Sequence, residues 1–64
     1  MTWHPDTLQQ LRTRRGWTQA ALAERAGVHR VTIARLETGT RRPGLDVLEA
    51  LAKALRVKIT DLLK

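Results

Sequence analysis

Residues 18–39 read TQAALAERAGVHRVTIARLETG, two short helical patterns on either side of a glycine. Thr18 belongs to the residue types that cap helix N-termini, so we expect a helix over 19–26. Gly27 ends this helix, because glycine readily adopts the left-handed conformation that follows a helix C-terminus. The same signals predict a second helix over 30–37. Two short helices joined by a tight turn make a helix-turn-helix.

Helical patterns also flank this motif, which we place at residues 19–38. A helix is predicted over 5–15, with proline at its start and a basic last turn before a glycine. A further helix is predicted over 45–56, and the tail 57–63 predicts a turn plus one short helix, or a strand-like segment. The apolar stripe of the fourth helix comprises Leu45, Leu48, Leu51, Ala52 and Leu55. The fold class we expect is all-α, a compact bundle of five short helices in a single domain, residues 1–64.

Size and composition exclude several classes of protein. A chain of 64 residues is too short to enclose a catalytic cleft, so we do not expect an enzyme. The chain has no cysteine, and His4 and His29 are its only histidines, so no metal site and no cofactor are expected. No apolar stretch approaches the roughly 20 residues that span a membrane, and the N-terminus lacks a signal-peptide layout. We therefore expect a cytoplasmic protein.

Positive charge dominates the first two thirds of the chain. The net charge is +6, and residues 1–44 contain eight basic and three acidic residues. Such a balance favours a polyanionic partner, meaning nucleic acid, an anionic membrane or an acidic protein. Two tryptophans with no tyrosine or phenylalanine argue against a protein that stacks successive single-stranded bases.

The helix predicted over 30–37 has two chemically different faces. At about 100° per residue, Ile33 and Leu36 fall together and must face the core. Arg30, Val31 and Arg35 then face outward. Arginine can bond the acceptor edge of guanine through two hydrogen bonds, and small apolar groups can contact the thymine methyl group in the major groove. A solvated basic face gives the same pattern, so the helical wheel alone leaves both interpretations open.

The motifs TQ-xx-LA-xx-AGV and TI-xx-LE-x-G, followed by RxP and a leucine-rich helix, occur in this order. Together they resemble the helix-turn-helix of Cro/CI-type (XRE family) transcriptional regulators and phage repressors. The resemblance extends from Leu8 to Leu63 and implies a lambda-repressor-like fold. In such proteins the second helix of the motif enters the major groove.

The resemblance also implies roles for individual residues. The base-reading positions correspond to Arg30, Val31 and Arg35, with His29 at their edge. Contacts to DNA phosphates correspond to Thr18 and Gln19 and to the loop residues Thr38, Thr40, Arg41 and Arg42. Arg12 and Glu37 match a structural pair that joins the first helix to the end of the third. His29 also stands where the family usually has a serine or threonine cap, so a weaker cap is expected there.

The apolar tail and the two tryptophans have more than one interpretation. Ile59, Leu62 and Leu63 are possible dimer contacts, because helix-turn-helix proteins commonly bind palindromic operators as homodimers. The alternative is that these residues only cap the monomer core. Trp17 is expected in the core, and Trp3 is expected to pack over the first helix or against the fifth.

The sequence thus predicts a sequence-specific regulator that binds double-stranded DNA, acts as a repressor and recognises a palindromic operator as a homodimer. The alternative is a protein-interaction module on the same fold, such as an antitoxin or an adaptor, with a toxin or another protein as its partner. The appearance of a stoichiometric second protein during purification would favour that alternative.

Overall fold

The structure is a computed structural model, and it describes residues 2–63. Within these residues the chain forms five α-helices and no strand. The helices are α1 Pro5–Arg14, α2 Gln19–Ala26, α3 Arg30–Thr38, α4 Leu45–Leu55 and α5 Ile59–Leu62. The all-α expectation is confirmed, and the strand-like alternative for the tail is wrong.

Capping residues set the ends of the helices, and most of them are recognisable in the sequence. The Thr18 side chain accepts a hydrogen bond from the Ala21 amide at 3.0 Å, which fixes the start of α2. Gly27 follows α2 in the left-handed conformation, with φ of 71°. Arg56, also left-handed at φ 56°, ends α4 one residue earlier than predicted. After both α2 and α4 the chain passes through a left-handed residue, and the next helix begins within a few residues.

One cluster of apolar side chains forms the core of the described residues. Leu22 lies on α2, Ile33 on α3 and Leu51 on α4, and all three are fully buried. The complete cluster is Leu8, Leu22, Ala23, Ile33, Leu36, Leu48, Leu51, Ala52, Leu55 and Leu62. Burying one such side chain contributes about 1.5–3 kcal/mol. One face of α3 therefore packs against the core, and its other face is exposed to solvent.

Leu45 departs from the stripe predicted for α4. Its side chain is 66% exposed, whereas Leu48 is 8% exposed. Leu45 is the first residue of α4, and the buried stripe starts one turn later. Its assignment to the core stripe is therefore wrong.

The tryptophans also differ from expectation. The Trp3 indole N–H donates to the Leu36 carbonyl oxygen at 3.0 Å, so Trp3 reaches the end of α3, a contact that was not predicted, while it also packs against the core. Carbonyl groups in the last turn of a helix lack intrahelical partners, which explains the attraction. Trp17 is only partly buried, beside the core and not within it.

The tail packs against α4 and the apolar core. Leu62 is fully buried, so its side chain cannot reach a second copy of the chain, and the prediction of Leu62 as a dimer contact is corrected. Ile59 and Leu63 are partly buried and keep some exposed surface. Across the described residues, none of the helices has the length and apolar character needed to cross a membrane.

Candidate nucleic-acid interface

The outward side of α3 carries Arg30, Val31 and Arg35, and we call these three residues the outer face of α3. All three are exposed, and Val31 has 56% of its surface accessible although it is apolar. In residues 2–63 the guanidinium groups of Arg30 and Arg35 make no hydrogen bond or ion pair with the protein. The outer face of α3 is thus cationic, protruding and free to contact another molecule.

The inward end of α3 is held by Arg12, Gln19 and Glu37, which we call the Glu37 cluster. Arg12 Nε lies 2.7 Å from Glu37 Oε2, and Arg12 Nη2 lies 3.0 Å from Glu37 Oε1. The Arg12 and Glu37 side chains are 11% and 4% exposed, so this predicted pair is present and largely buried. Gln19 Nε2 donates a further hydrogen bond to Glu37 Oε1 at 3.1 Å.

The Glu37 cluster connects three helices. Arg12 comes from α1, Gln19 is the first residue of α2, and Glu37 lies in the last turn of α3. Arg12 Nη1 also donates to the Trp17 carbonyl oxygen at 2.7 Å, which ties down the segment before α2. The cluster therefore fixes the orientation of α3 relative to the N-terminus of α2. The family resemblance implies that Gln19 supports α3, but its bond to Glu37 and the Trp17 contact do not follow from helical spacing.

The residues expected to contact phosphates lie at two neighbouring places. Gln19 and Thr18 stand at the start of α2, and the second N–H of the Gln19 amide stays available beside its bond to Glu37. Thr38 donates its hydroxyl to the Arg35 carbonyl oxygen at 3.1 Å and lies 2.9 Å from the Thr40 hydroxyl. Thr38 is the last residue of α3, so its placement in the following loop is corrected.

The basic loop after α3 folds back onto that helix. The Arg41 amide donates to the Arg35 carbonyl oxygen at 3.2 Å. The Arg41 and Arg42 side chains are exposed, and in residues 2–63 they make no ion pair with a carboxylate. The loop thereby places two further cationic side chains next to the outer face of α3.

His29 stands at the N-cap of α3 and is exposed. Its side chain makes no capping hydrogen bond, in agreement with the weaker cap expected there. The backbone still starts the helix, because the Ile33 amide donates to the His29 carbonyl oxygen at 3.2 Å. The imidazole therefore lies at the N-terminal end of α3, beside the outer face of α3, and makes no capping hydrogen bond.

A short helix, a turn at Gly27 and a second helix with an exposed cationic face define the chain as a helix-turn-helix protein. A family model described as helix-turn-helix (HTH_3) matches residues 8–62. The chain belongs to this family.

Several transcriptional regulators are similar to this chain in sequence or in structure. The chain is 40% identical over 58 residues to the HTH-type transcriptional activator BcrR of Enterococcus faecalis. That match covers 91% of this chain but only 28% of the length of BcrR. The P22 c2 repressor, in its crystal structure with synthetic operator 9T, is 31% identical in sequence to this chain. The two structures superpose with a TM-score of 0.91, and the match covers 100% of this chain and 97% of that chain.

A second DNA complex is also similar. The master regulator for biofilm formation SinR, of Bacillus subtilis, is 28% identical in its complex with DNA, with a TM-score of 0.89. The match covers 94% of this chain and 100% of that chain. The lambda-repressor-like fold and the assignment to helix-turn-helix regulators, made from the sequence motifs, are therefore confirmed.

Proposed function

We propose that this protein is a sequence-specific transcriptional regulator that binds double-stranded DNA with α3 in the major groove. The observation that carries the proposal is the outer face of α3, where two unpaired guanidinium groups flank an exposed valine. An exposed Val31 between two arginines matches a surface that contacts guanine edges and a thymine methyl group in the major groove. The proposal is supported by the similar crystal structures of P22 c2 and SinR, which are complexes with a synthetic operator and with DNA.

The residues divide into two roles. Arg30 and Arg35 contact guanine edges, Val31 contacts a thymine methyl group, and His29 reads or borders the next base. Phosphate contacts fix the position of the protein and carry little sequence information. These contacts come from Thr18, Gln19, Thr38, Thr40, Arg41 and Arg42.

The protein binds its operator as a homodimer. Helix-turn-helix dimers contact two half-sites about 34–36 Å apart, one turn of DNA, so that the operator mirrors the symmetry of the protein. The partly exposed residues Ile59 and Leu63 on and after α5 supply the apolar contact between copies. The protein is not an enzyme and acts in the cytoplasm, where its DNA is.

Repression follows if the operator overlaps a promoter, because a protein bound in the major groove excludes the polymerase. BcrR carries the name of an activator and P22 c2 that of a repressor, so the direction of control needs a direct test. A reporter gene with the selected operator across its promoter should lose expression when the protein is made. A gain of expression would reassign the protein to activation without changing its contacts with DNA.

DNA binding itself is tested by selecting binding sites from random duplex DNA. We expect a palindrome whose half-site centres lie about 10–10.5 base pairs apart. Affinity for the selected site should fall steeply with salt, because each neutralised phosphate releases counterions. Failure to enrich any motif, or equal affinity for selected and random duplexes, would contradict the proposal.

A further inference from the structure

A second charged surface lies between the C-terminal halves of α2 and α4, and we call it the α2–α4 groove. It is open to solvent and encloses about 660 Å³. Its apolar lining includes Trp17 and the small side chains Ala26, Ala50 and Ala54. None of the outer face of α3 and none of the loop over residues 39–44 contributes to it.

The rim of the α2–α4 groove is strongly basic. Four cationic side chains and one acidic side chain line it. The cationic residues are Arg15, Arg25, Lys53 and Arg56, and the acidic residue is Glu24. All of these side chains are exposed, so their charge faces whatever enters the groove.

Trp17 holds two of the cations in place. The Arg25 guanidinium lies 4.4 Å from the centre of the Trp17 ring, and the Arg15 guanidinium lies 5.4 Å from it. Arg15 Nη2 also donates to the Leu55 carbonyl oxygen at the end of α4. Stacking on an aromatic ring restricts a long side chain, so less conformational entropy is lost when the guanidinium binds an anion. These two arginines are therefore arranged before any ligand arrives.

The groove lies away from the surface proposed for DNA. Its lining residues come from the segment after α1, from α2 and Gly27, and from α4 and Arg56, and none comes from α3. We therefore expect the groove to stay accessible when a duplex lies against the outer face of α3. Exposed cationic side chains thus form two groups that share no residue, one on and after α3 and one around the groove.

We propose that the α2–α4 groove binds an acidic amphipathic segment of a partner protein. The carboxylates of the segment pair with the basic rim, and its apolar side chains lie on Trp17 and the alanines. The combination argues against nucleic acid, since a concave surface with an apolar lining does not match the convex, fully charged backbone of a duplex. Charge complementarity and the mixed lining thus favour a peptide.

The test uses a synthetic peptide of about twelve residues, about 18 Å long when helical, with glutamates on one face and leucines on the other. This length fits a molecule with extents of 26 × 23 × 20 Å. Binding is followed by NMR through the indole N–H signals of the two tryptophans. We expect the Trp17 signal to move on addition of the peptide, and the Trp3 signal, whose N–H is bonded to Leu36, to stay.

Charge-reversal variants locate the binding. Arg25→Glu should weaken peptide binding about tenfold, as expected when a complementary contact becomes repulsive. Lys53→Glu provides a second variant that does not disturb the stacking on Trp17. Arg14→Glu makes the same change of net charge at an exposed residue outside the groove and should change binding much less.

Three results would overturn the proposal. One is a Trp17 signal that stays while the peptide is added. Another is equal weakening by Arg25→Glu and Arg14→Glu, which would mean attraction by net charge alone. The third is a single-stranded oligonucleotide of equal charge that shifts Trp17 as strongly as the peptide and depends on the same residues. DNA binding is not needed in this assay, so its outcome is independent of the proposed regulatory function.

Discussion

Arginines lie on the inner and the outer sides of α3, but within the described part of the chain only the arginine on the inner side is paired with a carboxylate. On the inner side, Glu37 forms an ion pair with Arg12, and the side chains of Arg12 and Glu37 are 11% and 4% exposed. On the outer side, Arg30 and Arg35 project from the helix without a protein partner among the described residues. Positive charge is therefore neutralised within the fold on one side and, as we propose, used for DNA recognition on the other.

The difference shows why the net charge of +6 says little by itself. Arg12 contributes to that number but is neutralised inside the fold by Glu37. The charges available to a polyanion are those that the helix leaves unpaired. The comparison can be tested because changes on the two sides should alter different measured quantities.

The largest effect is expected from Glu37→Ala. The change leaves the buried Arg12 without its carboxylate, which should lower the free energy of unfolding by about 3–5 kcal/mol. A chain of this size has about 3–10 kcal/mol of stability in total, so the variant should lose a large fraction of it. Urea unfolding followed by circular dichroism measures the change.

Two variants serve as controls for this prediction. Glu49→Ala removes an exposed acid from α4 and should change stability by less than about 0.5 kcal/mol. Replacing both partners, as Arg12→Met with Glu37→Leu, should cost less than Glu37→Ala alone because no unpaired charge remains. A loss below about 1 kcal/mol in Glu37→Ala would mean that the pair is not important for the fold.

The next effect concerns the outer face of α3. Arg35→Ala should weaken binding to the selected operator by about 1–3 kcal/mol, through the loss of a base contact. Its free energy of unfolding should stay within about 0.5 kcal/mol of the parent, because the side chain is exposed and unpaired. Fluorescence anisotropy and urea unfolding give the two values. A loss of stability without a loss of affinity would reverse the distinction between the two sides.

A smaller effect is expected from Trp3→Phe, which keeps an aromatic ring but removes the N–H that donates to Leu36. Loss of one such hydrogen bond lowers the free energy of unfolding by about 0.5–1.5 kcal/mol. Thermal unfolding should therefore show a lower midpoint, and the operator preference should be unchanged. An unchanged midpoint would show that the indole contact does not hold the end of α3.

The smallest effect belongs to the loop. Arg41→Ala should reduce the slope of log affinity against log salt by about one and weaken all duplexes alike. The measurement is a salt titration on operator and on random DNA. Weakening restricted to the operator would give Arg41 a role in base recognition.

Much of the fold could be predicted from the sequence because local rules govern it. Thr18 caps α2 and Gly27 ends it, and both features depend only on residue type and neighbours. The spacing of Ile33 and Leu36 likewise determined which side of α3 faces the core. Contacts between distant segments were less accessible, and Trp3 shows this, since its bond to Leu36 joins residues 33 positions apart.

For the candidate site, too, features that follow from helical periodicity were predictable from the sequence, and contacts between distant segments were not. The outward direction of Arg30 and Arg35 follows from helical periodicity, but the pairing of Arg12 with Glu37 came only from the resemblance to a family. Gln19 joins that pair because the start of α2 meets the end of α3 in space, which spacing along the chain does not reveal. Leu62 was misassigned because an apolar residue near a terminus packs equally well inward or against a partner.

The outer face of α3 is proposed to contact bases, whereas the loop is proposed to contact only phosphates. The most direct test repeats the selection from random duplex DNA with the parent protein, Arg35→Ala and Arg41→Ala in parallel. We predict that Arg35→Ala loses its preference at one base pair of each half-site, whereas Arg41→Ala selects the same sequence as the parent. An unchanged sequence preference in Arg35→Ala would contradict the account.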